Sequence, residues 1–320
     1  MSYPLCPYGI YTIGPGDTLF ALAQRSGTTV QEWLAANPGI VPTNLQVGQV
    51  ICLPPPPVPP PAGVPAPDLS PLRRQIEAYL ATQAATYRVY FQDLRSGAAF
   101  GIGETEQMVA ASTTKVPTVL YLYTLAASRQ IDLNEKVAYQ AADFQSGAGA
   151  LQAYVHEGDL YTLDCLADLA IRLSDNIAHR MLLRRLGLSN VAAFMRSLGG
   201  QVVYPNGSNI TTALDLATYM RAVVAFARRQ PDLGGLLLAQ LENTIWNAGL
   251  NGQLPTNVVT AHKEGDVTGV SNDYGVVFAL RPYLLVVLSA NQPDAEAGFQ
   301  FIAHISRLAY DFEQSLTAAH

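Results

Sequence analysis

A run of prolines constrains this chain more than any other feature of its sequence. Residues 54–67 read PPPPVPPPAGVPAP, with nine prolines in fourteen positions. Proline has a fixed φ and no N–H donor, so the run favours an extended polyproline II conformation that spans roughly 43 Å. We therefore predict two independent folded modules, residues 1–53 and 68–320, joined by this spacer. A ligand for a proline-binding domain is the alternative interpretation of the run.

Charge and hydropathy exclude two classes of protein. The 320 residues carry a formal net charge of −6, whereas nucleic-acid and anionic-membrane binders need a basic excess. The longest apolar stretch, residues 275–290, is interrupted by Arg281 and Pro282. It is therefore too short for a membrane span, which needs about 18 apolar residues. We expect no nucleic-acid partner and no membrane span.

The first module is predicted to form a strand, two helices and a second strand. The strands cover residues 10–13 and 49–53, and the second helix covers 30–36. Asp17 follows a Gly-Pro-Gly turn, where its side chain would cap the first helix.

The same segment resembles LysM modules over nearly its whole length. The resemblance rests on the Gly-Asp-Thr-Leu turn, the Ala-Asn-Pro-Gly corner and the Val-Gly-Gln sequence before the last strand, which occur in that order. LysM modules bind N-acetylglucosamine glycans such as peptidoglycan or chitin between two loops. The resemblance implies that the glycan contacts come from Gly16, Asp17, Thr18, Leu19, Pro38, Gly39 and Ile40. The module's net charge of −1 also suits a neutral glycan better than a polyanion.

The cysteines separate into a pair and a single residue. Antiparallel pairing of the two strands would bring Cys6 and Cys52 within the bridging range of about 4.4 to 6.8 Å between Cα atoms. A disulfide there would stabilise a small module and imply an oxidising environment. Cys165 lies in an apolar helical pattern at 163–173, and we predict that it is a buried core residue.

The second module is predicted to be an α+β domain with one antiparallel sheet built from both ends of the segment. A helix beginning at Ser70-Pro71 and a final helix at 294–316 should share one face of that sheet. Between the strands lies a long helical insert with three Gly-containing breaks. The predicted strands are residues 87–94, 98–103, 258–263, 274–280 and 284–290.

Lysine is rare, and its positions are informative. Of 19 basic residues only three are lysines, at positions 115, 136 and 263. Ser112 precedes Lys115 by three residues, which places hydroxyl and amine one helical turn apart on the same face. A neutral amine there could take the hydroxyl proton and create a nucleophile.

Two further motifs accompany that pair. Ser174-Asp175-Asn176 and Lys263-Glu264-Gly265 follow Ser112-x-x-Lys115 in the chain, and this ordered set resembles class A β-lactamases and penicillin-binding proteins. Two of the three lysines occupy the family's lysine positions, while Lys136 is interpreted as a surface charge. The resemblance extends over the whole second module.

That resemblance implies an acyl-transfer mechanism without a metal or cofactor. Ser112 would attack a carbonyl carbon, and Lys115, its pKa lowered by burial and positive charge, would be the base. Ser174 would shuttle a proton with assistance from Lys263.

The remaining implied residues hold the substrate. Asn176 would position substrate amides, and the backbone N–H groups of Ser112 and Asp266 would hold the oxyanion beside Gly265.

Two departures from the family pattern limit what the resemblance implies. Class A β-lactamases carry a Glu on an Ω-shaped loop that activates the deacylating water, but residues 197–214 contain no Asp or Glu before the helix that follows. Hydrolysis of an acyl-enzyme should therefore be slow. Glu264 also replaces the usual Thr or Ser. It could pair with Lys263 or an Arg, accompany a substrate without a carboxylate, or act as a hydrolytic base.

Three functions follow from these observations. The first is a cell-wall-targeted serine acyl hydrolase or transferase that acts on wall-like peptides and is acylated by β-lactams. The second is a β-lactamase with an unusual deacylation base, and the third is a catalytically weak wall or spore-coat protein. We expect a cell-wall, spore-surface or extracellular location, although residues 1–11 lack the basic and apolar regions of a secretory signal.

Overall fold

The computed structural model describes residues 6, 10–26, 28, 30–54 and 66–318, so most of the proline run lies outside the described residues. The strands are β1 (Ile10–Thr12), β2 (Val50–Cys52), β3 (Thr86–Asp93), β4 (Ala99–Ile102), β5 (Met108–Val109), β6 (Lys136–Ala138), β7 (Leu160–Thr162), β8 (Ile210–Thr211), β9 (Val259–Val267), β10 (Val270–Phe278) and β11 (Tyr283–Ala290). The helices are α1 (Leu19–Ser26), α2 (Val30–Ala36), α3 (Ser70–Leu80), α4 (Lys115–Ala127), α5 (Leu163–Arg172), α6 (Asn176–Leu186), α7 (Leu188–Ser197), α8 (Ala213–Arg229), α9 (Pro231–Glu242) and α10 (Ala295–Ala318).

The first module has the predicted order of strand, helix, helix and strand. Its two strands pair antiparallel, with Ile10 opposite Cys52, and Trp33 is buried in the core of the module. A disulfide joins Cys6 to Cys52, whose Cα atoms are 5.1 Å apart. The small core is therefore closed by a covalent link between its two ends.

The predicted cap of the first helix is wrong by one residue. Thr18, not Asp17, accepts the free backbone N–H, from Ala21 at 3.0 Å. The Asp17 carboxylate turns back instead, where it accepts the N–H of Gly14 at 2.8 Å and pairs with Arg25. Asp17 thus stabilises the turn that precedes the helix.

The prediction for Cys165 is also wrong, because this residue is exposed. Leu163, Leu166 and Ala167 form the buried side of α5. Cys165 lies between them in sequence and therefore off the face that an α-helix turns inward.

The second module is built on the predicted antiparallel sheet. The strand order is β4-β3-β11-β10-β9, so β3 near the start of the module pairs with β11 near its end. Leu72 and Ile76 of α3 pack with Ile302 and Ile305 of α10 over one face. The prediction that the two terminal helices share a face is confirmed.

The helical insert covers the other face and places α4 at its centre. Val116, Val119 and Leu122 of α4 are fully buried, as expected for a helix that is apolar on all sides. Two pairs of very short strands inside the insert, β5 with β8 and β6 with β7, were not predicted. Strands of two or three residues are too short to show alternation.

The two modules touch, although the sequence predicted independent units held apart by a spacer. The rings of Phe20 on α1 and Phe278 on β10 lie 4.7 Å apart, and α1 packs against α8 and α9. Apolar side chains on both modules close this interface, and the proline run itself gave no sign of them. None of the helices in the described part of the chain is long and apolar enough to cross a membrane.

Candidate active site

The predicted nucleophile lies on a short 3-10 turn, Ala111–Thr114, directly before α4. Strand β10 anchors this turn, because Asn272 donates to the carbonyl of Val109 at 2.8 Å and Tyr274 donates to that of Thr113 at 3.0 Å. Ala111 has a positive φ of 50°, which is rare for a residue with a side chain. The surrounding contacts thus hold the residue before Ser112 in a backbone geometry that it would not adopt alone.

Lys115 begins α4 and is the centre of the polar network. Its Nζ lies 3.0 Å from Ser112 Oγ, 3.1 Å from Ser174 Oγ and 2.8 Å from Asn176 Oδ1. Burial, followed by the charge of Lys263, lowers the pKa of Lys115 to about 6. The amine is therefore largely neutral at pH 7 and can accept a proton from Ser112.

Lys263 reaches the same hydroxyl from the sheet. Its Nζ donates to Ser174 Oγ at 3.0 Å and to the backbone carbonyl of Glu264 at 2.6 Å. Burial lowers the pKa of Lys263 to about 8, so at pH 7 this amine is mostly charged. One neutral and one charged lysine therefore flank a single hydroxyl.

The three residues of the Ser174-Asp175-Asn176 motif have different roles. Ser174, which has a positive φ of 55°, points its hydroxyl at both lysines. Asp175 caps α6 by accepting the N–H of Ala178 at 2.9 Å, so its role is structural. Asn176 contacts Lys115 and also donates to the carbonyl of Ser146 at 2.9 Å. Its amide therefore connects the pocket segment that contains Ser146 to the lysine.

Gly265 lies directly against the nucleophile turn. A Cβ added at this position would be only 2.7 Å from the backbone nitrogen of Ser112. The strand edge can approach the turn this closely only because the residue is glycine.

The site opens into a pocket of about 770 Å³. Four of the predicted site residues line this pocket: Ser112, Lys115, Asn176 and Asp266. Ser174 and Lys263 are buried behind that lining. The Ser174 hydroxyl contacts the lining residue Lys115, and Lys263 contacts the same hydroxyl. Sequence reasoning missed further lining side chains, since no local motif marks them. These are Gln145, His179, Arg180, Tyr204, Asn209, Trp246 and Thr268.

The predicted glycan groove lies on the first module, and the structure presents its residues unequally. Gly16, Pro38 and Gly39 are exposed, while Asp17 and Ile40 are half-buried. Thr18 and Leu19 are buried, so their side chains serve the helix cap and the core. Any glycan contact from these two residues would involve their backbone.

Comparison with known proteins assigns the larger module. Residues 71–312 match the model of the family described as "Beta-lactamase enzyme family". The chain belongs to this family. Residues 11–54 match the model of the LysM domain, so a LysM domain precedes the β-lactamase-like serine hydrolase domain.

Individual relatives agree with that division. The chain is 25% identical to the β-lactamase SME-1 of Serratia marcescens over 242 residues, which are 69% of this chain and 82% of the relative. It is 57% identical to the secreted LysM effector ELP2 of Colletotrichum higginsianum over 44 residues, 14% of this chain and 25% of that protein. A solved structure of a PBP-A mutant, in an acyl-enzyme complex with penicillin G, has a TM-score of 0.72 at 27% identity. The match covers 77% of this chain and 97% of that one.

The loop at 197–214, where the family pattern would place an acid, contributes Tyr204 and Asn209 to the pocket. Asn209 fastens the loop to the nucleophile turn, since it donates to the carbonyl of Ala111 at 2.7 Å and accepts from Thr114 at 3.0 Å. The Tyr204 hydroxyl is buried and has no geometrically good hydrogen-bond partner among the described residues, and burial raises its pKa. Among the described residues that line the pocket, Asp266 carries the one carboxylate.

Glu264 is turned away from the pocket. Its carboxylate accepts the N–H of Gly249 at 2.6 Å and lies within 4.8 Å of His262 and Asp273. Burial, followed by the charge of Asp273, raises the pKa of Glu264 to about 7. Glu264 therefore places no charge at the point in the pocket where the Thr or Ser of the family pattern would contact a substrate.

His262, Glu264 and Asp273 have the chemistry of metal ligands, but hydrogen bonds already engage them. His262 Nδ1 lies 2.9 Å from the carboxylate of Asp273, which also accepts the N–H of Leu250 at 2.7 Å. These contacts explain the cluster as a buried hydrogen-bonded network on strands β9 and β10.

Proposed function

We propose that this protein is a cell-wall-targeted serine acyl hydrolase or transferase that forms an acyl-enzyme on Ser112. The observation that carries the proposal is the 3.0 Å contact between Ser112 Oγ and the buried amine of Lys115. A serine next to a neutral lysine is an activated nucleophile, and wall peptides offer the amide and ester carbonyls that it would attack.

The acylation step uses the polar network in sequence. Lys115 Nζ takes the proton of Ser112 as Oγ bonds to the carbonyl carbon, and the backbone N–H groups of Ser112 and Asp266 stabilise the oxyanion. When the tetrahedral intermediate collapses, the leaving nitrogen or oxygen needs a proton. Ser174 supplies it and is reprotonated by Lys115 at 3.1 Å, which thereby gives up the proton taken from Ser112, while Lys263 at 3.0 Å keeps its charge.

Release of the acyl group is the slow step in this proposal. Residues 197–214 offer no acid to activate water, and the phenol of Tyr204 is held protonated by its burial. β-Lactams should therefore acylate Ser112 and remain attached. The acyl-enzyme complex of the PBP-A mutant with penicillin G supports the same chemistry in a related fold.

The LysM domain supplies the targeting. By similarity to LysM modules, it binds N-acetylglucosamine glycans, and a tethered catalytic domain then meets wall peptides at an effective concentration of about millimolar. The proposed location is therefore a cell wall, a spore surface or another extracellular glycan.

A β-lactamase is the second candidate, favoured by one observation. Asp266 places a carboxylate at the rim of the pocket, where it could activate water after acylation. Asp266→Asn separates the two candidates because it keeps the shape of the side chain and removes the base. An unchanged rate of acyl release excludes Asp266 as the base, whereas a loss of tenfold or more supports the second candidate.

The proposal is tested on the expected substrate with matched variants. Purified peptidoglycan is incubated with the wild type or with Ser112→Ala, and released peptides and amino acids are quantified by mass spectrometry. Product that depends on Ser112 supports the acyl-transfer function. Absence of both product and penicillin adduct would leave the catalytically weak wall protein.

Glycan targeting is tested separately by sedimentation with insoluble peptidoglycan or chitin. Pro38→Glu places a charge in the exposed part of the groove, and Gln46→Glu places the same charge at an exposed position of the LysM domain outside the predicted contacts. Loss of binding by the first variant alone supports the groove. Equal binding by both variants contradicts it.

A further inference from the structure

A second polar cavity lies where the two domains meet. It has a volume of about 320 Å³, within the range of small-ligand sites. Val41, Pro42 and Thr43 of the LysM domain form one wall, and the end of α9 with the beginning of β9 forms the other. Neither the catalytic network nor the predicted glycan contacts include this cavity.

Three side chains of the hydrolase domain line the cavity with unused hydrogen-bonding atoms. These buried atoms are Glu242 Oε1, Asn251 Oδ1 and Thr260 Oγ1, and none has a hydrogen-bond partner among the described residues. Glu242 and Thr260 are only 5% and 3% exposed. Buried polar atoms are normally satisfied, so three in one cavity indicate a polar occupant.

The chemistry of the lining selects the class of that occupant. Among the described residues of the lining, Glu242 has the one ionisable side chain, and the other polar groups are amides and hydroxyls. Burial raises the pKa of Glu242 to about 8, so at pH 7 the carboxyl is mostly protonated. The described part of the lining has no cation and many neutral hydrogen-bonding groups, which fits a polyhydroxylated neutral ligand rather than an anion.

The LysM wall of the cavity adjoins the predicted groove in the sequence. This wall, residues 41–43, follows directly on Pro38, Gly39 and Ile40 of the predicted groove. Helix α9 borders both regions: a Cβ at Gly235 would lie 3.1 Å from the carbonyl oxygen of Gly16, and Glu242 lines the cavity seven residues further along the helix. These two points on the helix are roughly 10 Å apart.

We infer that this cavity is a saccharide subsite, in which the hydrolase domain binds a further N-acetylhexosamine unit of the glycan held by the LysM groove. Sugar hydroxyls or the acetamido N–H would donate to Asn251 and Glu242, and Thr260 would complete the set. The inference rests on the glycan binding given under the proposed function. It adds that the two domains recognise one glycan strand together.

The test compares short and long oligosaccharides on the full chain. Binding of N-acetylglucosamine trimer and hexamer is measured by isothermal titration calorimetry for the wild type, Thr260→Val and Glu242→Leu. Thr43→Trp fills the cavity from the LysM side and leaves the hydrolase core untouched. Thr105→Val is the matched control, because Thr105 is exposed and outside the cavity.

The subsite predicts a specific pattern of affinities. The wild type should bind hexamer more tightly than trimer, and each cavity variant should lose roughly three- to tenfold in hexamer affinity without losing trimer affinity. Hexamer affinity equal to wild type in all three cavity variants overturns the subsite and leaves the LysM function intact. Failure of the wild type to bind either oligosaccharide overturns the glycan function and the subsite together.

Discussion

Lys115 and Lys263 both contact one oxygen, with their amines 3.1 and 3.0 Å from Ser174 Oγ. The first begins a helix and the second lies on a strand 148 residues later in the chain. Because both amines are buried, the charge on one disfavours charge on the other. Burial, reinforced by this repulsion, lowers the pKa of Lys115 and makes it a base at neutral pH, and the lysine pair governs the first two predictions.

The pH dependence of acylation should follow the two lysines. The rate should rise as pH passes about 6, where Lys115 loses its proton, and fall as pH passes about 8, where Lys263 loses its charge. In Lys263→Gln the acid limb should shift to higher pH, because the charge that lowers the pKa of Lys115 is gone. Stopped-flow acylation by a chromogenic cephalosporin measures both limbs. Lys136→Gln, at an exposed lysine, should leave the acid limb in place.

Removing the buried amine should stabilise the protein while it abolishes acylation. Unfolding raises the pKa of Lys115 from about 6 to its ordinary value of 10.5, so the unfolded state binds more protons between these limits. Wild-type stability therefore rises with pH across that range if other groups are held constant. Lys115→Met should gain about 1 to 4 kcal/mol.

Denaturant unfolding at several pH values measures this gain. Lys136→Met serves as the control, because its side chain is exposed. A Lys115→Met variant that is less stable than the wild type at neutral pH would show that hydrogen bonds to the amine outweigh its desolvation.

A carboxylate placed in the loop should speed release of the acyl group. Tyr204 is a residue of the 197–214 loop whose side chain lines the pocket. Tyr204→Glu should accelerate deacylation by roughly ten- to a hundredfold, since a positioned general base contributes about 10² or more. Tyr204→Gln has the same shape without the base and should give no gain. Equal adduct lifetimes in the two variants would contradict the role assigned to the missing acid.

The close approach of Gly265 to the nucleophile turn gives a steric prediction. Gly265→Ala would place a methyl group 2.7 Å from Ser112 N and 3.0 Å from Thr113 N, so the strand or the turn must move. We expect acylation to fall at least tenfold and stability to fall by about 1 to 3 kcal/mol. Leu280→Ala, at an exposed position outside the lining of the pocket, should change acylation little. Wild-type acylation by Gly265→Ala would show that the turn tolerates displacement.

The sequence was sufficient to predict the antiparallel sheet and the contacts between residues that lie close together in the chain. Alternation in β3 and the spacing of Ser112 and Lys115 are local patterns, and the structure contains both the strand and the contact. The resemblance carried by the ordered motifs then predicted that Ser174 and Lys263 belong to the same site.

The pocket lining and the contact between the domains could not be predicted, because both depend on contacts between segments that are distant in the sequence. Gln145, Tyr204 and Trp246 share a pocket only because three segments that are distant in the sequence converge there. The contact between Phe20 and Phe278 likewise needs both domains to be folded. No periodicity within one segment carries that information.

The most direct test of the proposed mechanism is intact-mass spectrometry of the protein during incubation with penicillin G. We predict one covalent adduct of the mass of the drug on the wild type, persisting after excess drug is removed, and none on Ser112→Ala. An adduct that forms equally on Ser112→Ala would contradict the nucleophile. Rapid hydrolysis of the drug by the wild type, with no adduct retained, would contradict slow release from Ser112.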